Sequence, residues 1–100
     1  MIRGTTPQHT FTLPLDPDLI SEIRIIYAQG GVKMFVKELA DGVIDGQKLV
    51  MRLTQQETLS LDHSMPVEVQ MRILTVGNDA LASKPKALPV DMLLENEVME

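Results

Sequence analysis

The chain has 100 residues, nine Lys and Arg against 14 Asp and Glu, a formal charge of −5, and no cysteine. That length holds one domain of ordinary size, and disulfide and thiolate chemistry are excluded. The basic residues are scattered rather than clustered, which excludes a nucleic-acid backbone or anionic-membrane footprint. One Tyr, two Phe and no Trp leave an aliphatic core and few platforms for stacking bases.

Residues 1–8 are rich in Gly, Thr and Pro and are expected to form a flexible N-terminal arm. A β-sandwich domain is expected over residues 9–90. From His9 to Leu15 the chain alternates, with Phe11, Leu13 and Leu15 inward and Thr10 and Thr12 outward. Pro14 cannot donate to a ladder, so this is an edge strand. Asp16-Pro17-Asp18 is a turn, with a weak helical signal around Leu19–Glu22. The next strand runs Glu22 to Ala28, with Ile23, Ile25 and Tyr27 on one face. Gly30-Gly31 supplies the positive φ angles of a tight hairpin. The return strand, Val32 to Leu39, offers two faces, Val32, Met34 and Val36 or Lys33, Phe35 and Lys37, and the first is favoured for the core.

Ala40-Asp41-Gly42 turns the chain, and Asp45-Gly46 signals a second two-residue hairpin. Lys48 to Thr54 follows, with Leu49, Met51 and Leu53 inward. Thr54-Gln55-Gln56-Glu57 has the form of a capping box, which predicts one short helical turn over residues 55–58. Leu59 and Leu61 should drop into the core beneath it, and Asp62-His63-Ser64 is a loop. The strongest alternation is Val67, Val69, Met71 and Ile73 against Glu68, Gln70 and Arg72. It marks the central strand, over residues 66–75. In the tract from Ala80 to Val90, Pro85 and Pro89 share one parity, so their missing donors face water while Lys84, Lys86 and Leu88 make the ladder. It is a second edge, guarded by prolines and lysines. Asp91 to Glu100 is an acidic tail, a frayed helical turn or disordered. Turn signals at this spacing without βαβ units predict an all-β antiparallel sandwich of six to seven short strands.

Residues that carry chemistry elsewhere do not combine here. Asp16, Asp18, Asp41, Asp45, Asp62 and Asp79 lie in turns, where Asp is a preferred residue. His9 and His63 have no partner at ligand spacing, so no metal site is expected. Ser60, Ser64 and His63 form no nucleophile arrangement, and the glycines are hairpin glycines rather than a phosphate loop. No catalytic, cofactor-binding or metal residue is therefore assigned, and a non-enzyme is expected. Met34, Met51 and Met71 fall on inward parity, whereas Met65, Met92 and Met99 lie nearer loops and tail. There is no apolar h-region near Met1 and no run of ~20 apolar residues, so neither a secretory signal nor a membrane helix is expected.

Met1-Ile2-Arg3-Gly4-Thr5-Thr6-Pro7, His9-Thr10-Phe11-Thr12-Leu13-Pro14, Leu53-Thr54-Gln55-Gln56-Glu57-Thr58-Leu59, Val69-Gln70-Met71-Arg72-Ile73-Leu74-Thr75, Gly77 and Asp79-Ala80-Leu81-Ala82-Ser83 together resemble a family of small proteins encoded by phages and prophages of Gram-positive, chiefly clostridial, bacteria. The resemblance spans nearly the whole chain and is weakest over residues 30–48 and after Val90. Members of that family resemble the immunoglobulin-like N-terminal domain of phage upper-baseplate proteins. The resemblance implies an immunoglobulin-like sandwich and a virion part, a tail or baseplate module that contacts other tail proteins or itself. It implies assembly in the host cytoplasm and then residence in the virion. It brings no catalytic residues. Contacts through sheet edges and flexible termini are the expected mode. The alternative is a small carbohydrate- or cell-surface-binding module, for which Tyr27 and Phe35 are the only mid-chain rings.

Overall fold

Eight strands and one short α-helix follow in chain order in the computed structural model, which describes residues 1–99. They are β1 (Gln8–Thr12), β2 (Ile20–Gln29), β3 (Val32–Glu38), β4 (Gly42–Asp45), β5 (Lys48–Arg52), α1 (Gln55–Leu59), β6 (Val67–Thr75), β7 (Ala80–Ala82) and β8 (Lys86–Leu88). Gly30 and Gly31, at φ +57° and +78°, make the tight turn that joins β2 to β3. The other side of β2 pairs with β6, and β7 and β8 share the far side of β6. The second sheet has the order β1-β5-β4. Every strand pairing is antiparallel. The two sheets close on one core built from Leu13, Ile23, Ile25, Tyr27, Leu49, Met51, Leu53, Leu61, Val67, Val69 and Ile73. The chain is an all-β antiparallel sandwich with one short helix.

The strand order is informative. In the seven-strand immunoglobulin pattern one sheet runs first-second-fifth-fourth and the other seventh-sixth-third, with an optional strand added beside the third. Here β1, β5 and β4 take the second, fifth and fourth places. Then β2 takes the third with β3 added beside it, β6 the sixth, and β7 with β8 the seventh. No strand among the described residues takes the first place, beside β1. The N-terminal residues run elsewhere: Ile2 makes a parallel bridge to Asp91, just past β8.

The period-two readings of β1, β2, β5 and β6 hold, and α1 forms with its capping box closed by Thr54 and Glu57. β3 requires a correction. Tyr27 pairs with Phe35 but Ala28 pairs with Lys33, so Met34 is an extra residue in a β-bulge. The bulge carries Phe35 and Lys37, opposite inward Tyr27 and Ile25, to the core side, while Val32, at the turn end of the strand, is 62% exposed. Met34 still packs against the core edge. The second hairpin turns on Gly46-Gln47 rather than on Asp45-Gly46, with Gly46 at φ +60° in the first central position. The helical signal at Leu19–Glu22 falls earlier, as a 3₁₀ turn over Pro17–Leu19 capped by Asp16. The count reaches eight because Val43-Ile44 sits in a full strand and the Ala80–Val90 tract breaks in two. Leu61 is buried as expected, but Leu59 is only half-buried and Thr58 is the residue that α1 buries.

Residues 91–99 form no helix. They lie against the N-terminal arm: Asp91 N–H donates to Met1 O at 2.7 Å and Arg3 N–H donates to Asp91 O at 3.1 Å. Farther on, Gln55 and the Met99 backbone exchange two hydrogen bonds of 2.7 and 2.8 Å. Gly4, at φ +75°, packs directly against the Leu93 and Leu59 side chains.

Leu49 and Leu81 test the assignment of faces. Leu49 is fully buried on β5 and Leu81 is 43% exposed on β7. Leu49→Ala is expected to cost about 2–5 kcal/mol, read from urea denaturation, while Leu81→Ala should stay within about 0.5 kcal/mol of the parent.

Candidate functional site

The sandwich is open along one side. β1 edges the smaller sheet there, and β7 with β8 edges the larger. Between them runs a groove of about 480 Å³ lined by residues 8–12 of β1 and by Val69, Met71, Ser83, Lys84, Lys86 and Leu88. A second hollow of about 390 Å³ shares Thr12, Met71 and Ser83 and extends the channel past Pro14 to Ile73 and Leu81. Alternation explains the lining. Inward parity places Phe11 from β1 and Val69 and Met71 from β6 in the same interlayer space. Phe11, Met71 and Leu88 pack on the core yet remain half-exposed, because no strand lies over them on this side. The lysines stand on exposed positions of the opposite wall.

Behind the groove the aromatic rings stack on one another. His9 lies 5.7 Å from Tyr27 in a stacked arrangement and edge-on to Phe11, and Tyr27 stacks on Phe35 at 4.6 Å. Tyr27 Oη and His9 Nδ1 are 2.6 Å apart in a hydrogen bond that joins the two sheets. Burial, then the negative charge of Glu57, pushes the Tyr27 phenol well above its ordinary range, so it stays neutral. Burial, then the N-terminal ammonium, pulls the His9 pKa below its ordinary value. Beyond Tyr27, Lys37 Nζ meets Glu57 Oε1 at 2.9 Å, with side chains only 9% and 22% exposed. That same carboxylate oxygen accepts the Thr54 N–H at 2.9 Å. Of the two mid-chain rings, Tyr27 is fully buried and Phe35 is stacked on it.

The other candidate residues stay apart. His63 sits exposed in the loop before β6. Asp16, Asp41 and Asp62 each accept a backbone N–H within two or three residues, which is turn chemistry. The Asp62 carboxyl is held below its ordinary range by the Ser64 backbone N–H and side chain. No group of three His, Asp or Glu side chains converges at metal-binding distance among the described residues. Met51 is buried, Met34 and Met71 are half-buried, and Met65, Met92 and Met99 are exposed. Sequence reasoning missed Gln29. Its side chain, 4% exposed, donates to Asp62 O and Met65 O and accepts from Asp62 N–H, clamping that loop to the end of β2. Lys37 belongs to the less favoured of the two faces read for β3, because the bulge that turns it inward has no mark in the local pattern. The parity of Pro85 and Pro89 was the one signal for the groove wall.

No family model, curated protein or solved structure matches the chain.

Two predictions follow the buried polar groups. Glu57→Gln leaves the Lys37 charge without its partner and should cost about 3–5 kcal/mol; Lys37→Met added to it should recover most of that loss, both measured by urea denaturation. The second concerns acid. A histidine whose folded-state pKa is depressed binds its proton more readily when unfolded, so its contribution is complete above about pH 6.5 and is lost as pH falls through the folded value. The urea midpoint should drop as pH is lowered from about 7 to 5, within the window set by the ordinary histidine value. His9→Gln should flatten that drop, because the Asp62 carboxyl acts only below about pH 4.

Proposed function

We propose that this chain is a non-enzymatic assembly module, a phage or prophage tail or baseplate component that joins protein neighbours through a strand edge and its terminal segments. The observation that carries this reading is the open side of the sandwich. Two free strand edges flank an apolar channel there, and edge pairing over side-chain pockets is a recurrent mode of protein docking. The family resemblance over residues 1–14, 53–59 and 69–83 supplies the virion setting. The immunoglobulin-like strand order agrees with the baseplate-domain resemblance. In this reading the protein is made in the host cytoplasm and ends in the particle. The carbohydrate-binding alternative has less support, since Tyr27 is fully buried and stacked between His9 and Phe35.

Quantitative mass spectrometry of gradient-purified tail particles from the phage that encodes this chain tests the reading. The chain is expected at a fixed ratio to the other tail proteins. Its loss during purification, or saturable binding of cell-wall polysaccharide by the isolated monomer, would overturn the assignment.

A further inference from the structure

Among the described residues β1, β3, β4 and β7 with β8 lie at sheet edges, and all of these edges but that of β1 carry protection. Edge strands are kept from pairing by shortness, lysines, prolines and bulges. β3 has the Met34 bulge and Lys33 beside it. β4 is four residues long and held between two turns. On the β7–β8 edge, Ser83 N–H donates to Met71 O, and Lys86 and Leu88 face Val69 and Val67. The alternation of an antiparallel ladder then turns Pro85, Ala87 and Pro89 outward, so two of three outward residues have no N–H.

β1 differs. Leu53 N–H donates to Pro7 O at 3.0 Å and Leu13 N–H donates to Gln47 O at 2.9 Å. The odd-numbered residues of β1 therefore bond to β5, and Gln8, Thr10 and Thr12 turn both backbone groups to the free side. The strand Gln8-His9-Thr10-Phe11-Thr12 holds no proline, no lysine and no bulge. Its free side borders the groove, and it is the place that the first strand of the immunoglobulin pattern fills. The chain's own N-terminal residues bridge to Asp91 instead.

From this we infer that β1 accepts an extended strand from a partner protein, which completes the sandwich as its missing first strand. The inference rests on the assembly reading above and names its partner surface. The strand runs antiparallel to β1 and takes three backbone positions, at Gln8, Thr10 and Thr12. Its inward side chains enter the groove. Those opposite Phe11 and Met71 are apolar, because that floor is apolar. Lys84 and Lys86 stand beside the Gln8 half of β1, while Leu81 and Ala82 stand beside the Pro14 half. In an antiparallel partner the Gln8 half meets the C-terminal end, so that end carries a carboxylate. Charge complementarity thus fixes which end of the antiparallel occupant is acidic.

The probe is an end-blocked, fluorescein-labelled peptide, Thr-Val-Thr-Val-Thr-Glu-Thr, with a second in which Lys replaces Glu. By fluorescence anisotropy on the full chain, the Glu peptide should bind at least about tenfold more tightly, a gap of about 1.4 kcal/mol. Lys84→Glu with Lys86→Glu should reverse the preference. Thr10→Pro should abolish binding of both peptides. Because that variant can disturb the strand itself, amide hydrogen exchange on the parent supplies an independent reading: the Gln8, Thr10 and Thr12 amides should slow when the Glu peptide is added. Equal affinity for both peptides, or no added protection at those amides, would overturn the proposal. So would sedimentation showing a dimer in which the same amides are protected without peptide, since the occupant would then be a second copy. Absence of the chain from tail particles sinks the assembly reading and leaves these peptide results standing as a separate fact about β1.

Discussion

One buried cation organises this fold. The bulge at Met34 rotates Lys37 onto the core side of β3, where its ammonium cannot stay without a counter-charge. Glu57 supplies it at 2.9 Å while also accepting the N–H of Thr54 that closes the capping box. A five-residue helix has no stability of its own, so α1 stands where it does because its third residue answers a charge on the opposite sheet. From there the order propagates. Thr58 on the inner side of α1 is fully buried and donates its hydroxyl to Thr5 O at 2.8 Å, fixing the N-terminal arm. The arm carries Arg3 to Leu59 O and to Asn96, which holds the C-terminal segment.

This network closes one end of the sandwich and leaves one side open. Gln29 pins the loop at residues 62–65, and the Tyr27–His9 bond ties the sheets just behind the groove. The floor of the channel is therefore held by a hydrogen bond and ring stacking even though no strand covers it. A docking surface prepared in this way loses less conformational freedom on binding than one that must be ordered first. The His9 position also explains why a titratable residue is tolerated so near the core. It is neutral, half-buried and engaged through one ring nitrogen.

Much of the architecture is legible in the residues because its rules are local. Val67, Val69 and Ile73 alternate with Glu68, Gln70 and Arg72, and that alone places them on the two faces of β6. Thr54 and Glu57, three residues apart, specify α1. Pro85 and Pro89 tell which side of the last edge lacks donors. What is not legible arises between distant segments. The Met34 bulge depends on fitting β3 to a strand already paired with β6, so Lys33 to Lys37 alternate without revealing where the phase slips. Gln29 and Thr58 look like surface residues until the loop and the arm close over them. The groove is formed by β1 and by residues more than fifty positions away, and no window of sequence contains both walls.

The lysines on the groove wall have a second consequence. An unguarded edge normally invites pairing between identical chains, and β1 carries no acidic or basic side chain other than its neutral histidine. Two copies joined antiparallel through β1 would instead set Lys84 and Lys86 of each copy beside the Thr12 end of the other's β1, which carries no carboxylate. A second copy thus leaves these lysines without a counter-charge, whereas a partner with a carboxylate at that end relieves both. The pair thus separates two occupants that would offer β1 the same backbone hydrogen bonds. Discrimination by charge suits a free edge of this kind, because the hydrogen-bond ladder itself carries no information about which protein is bound.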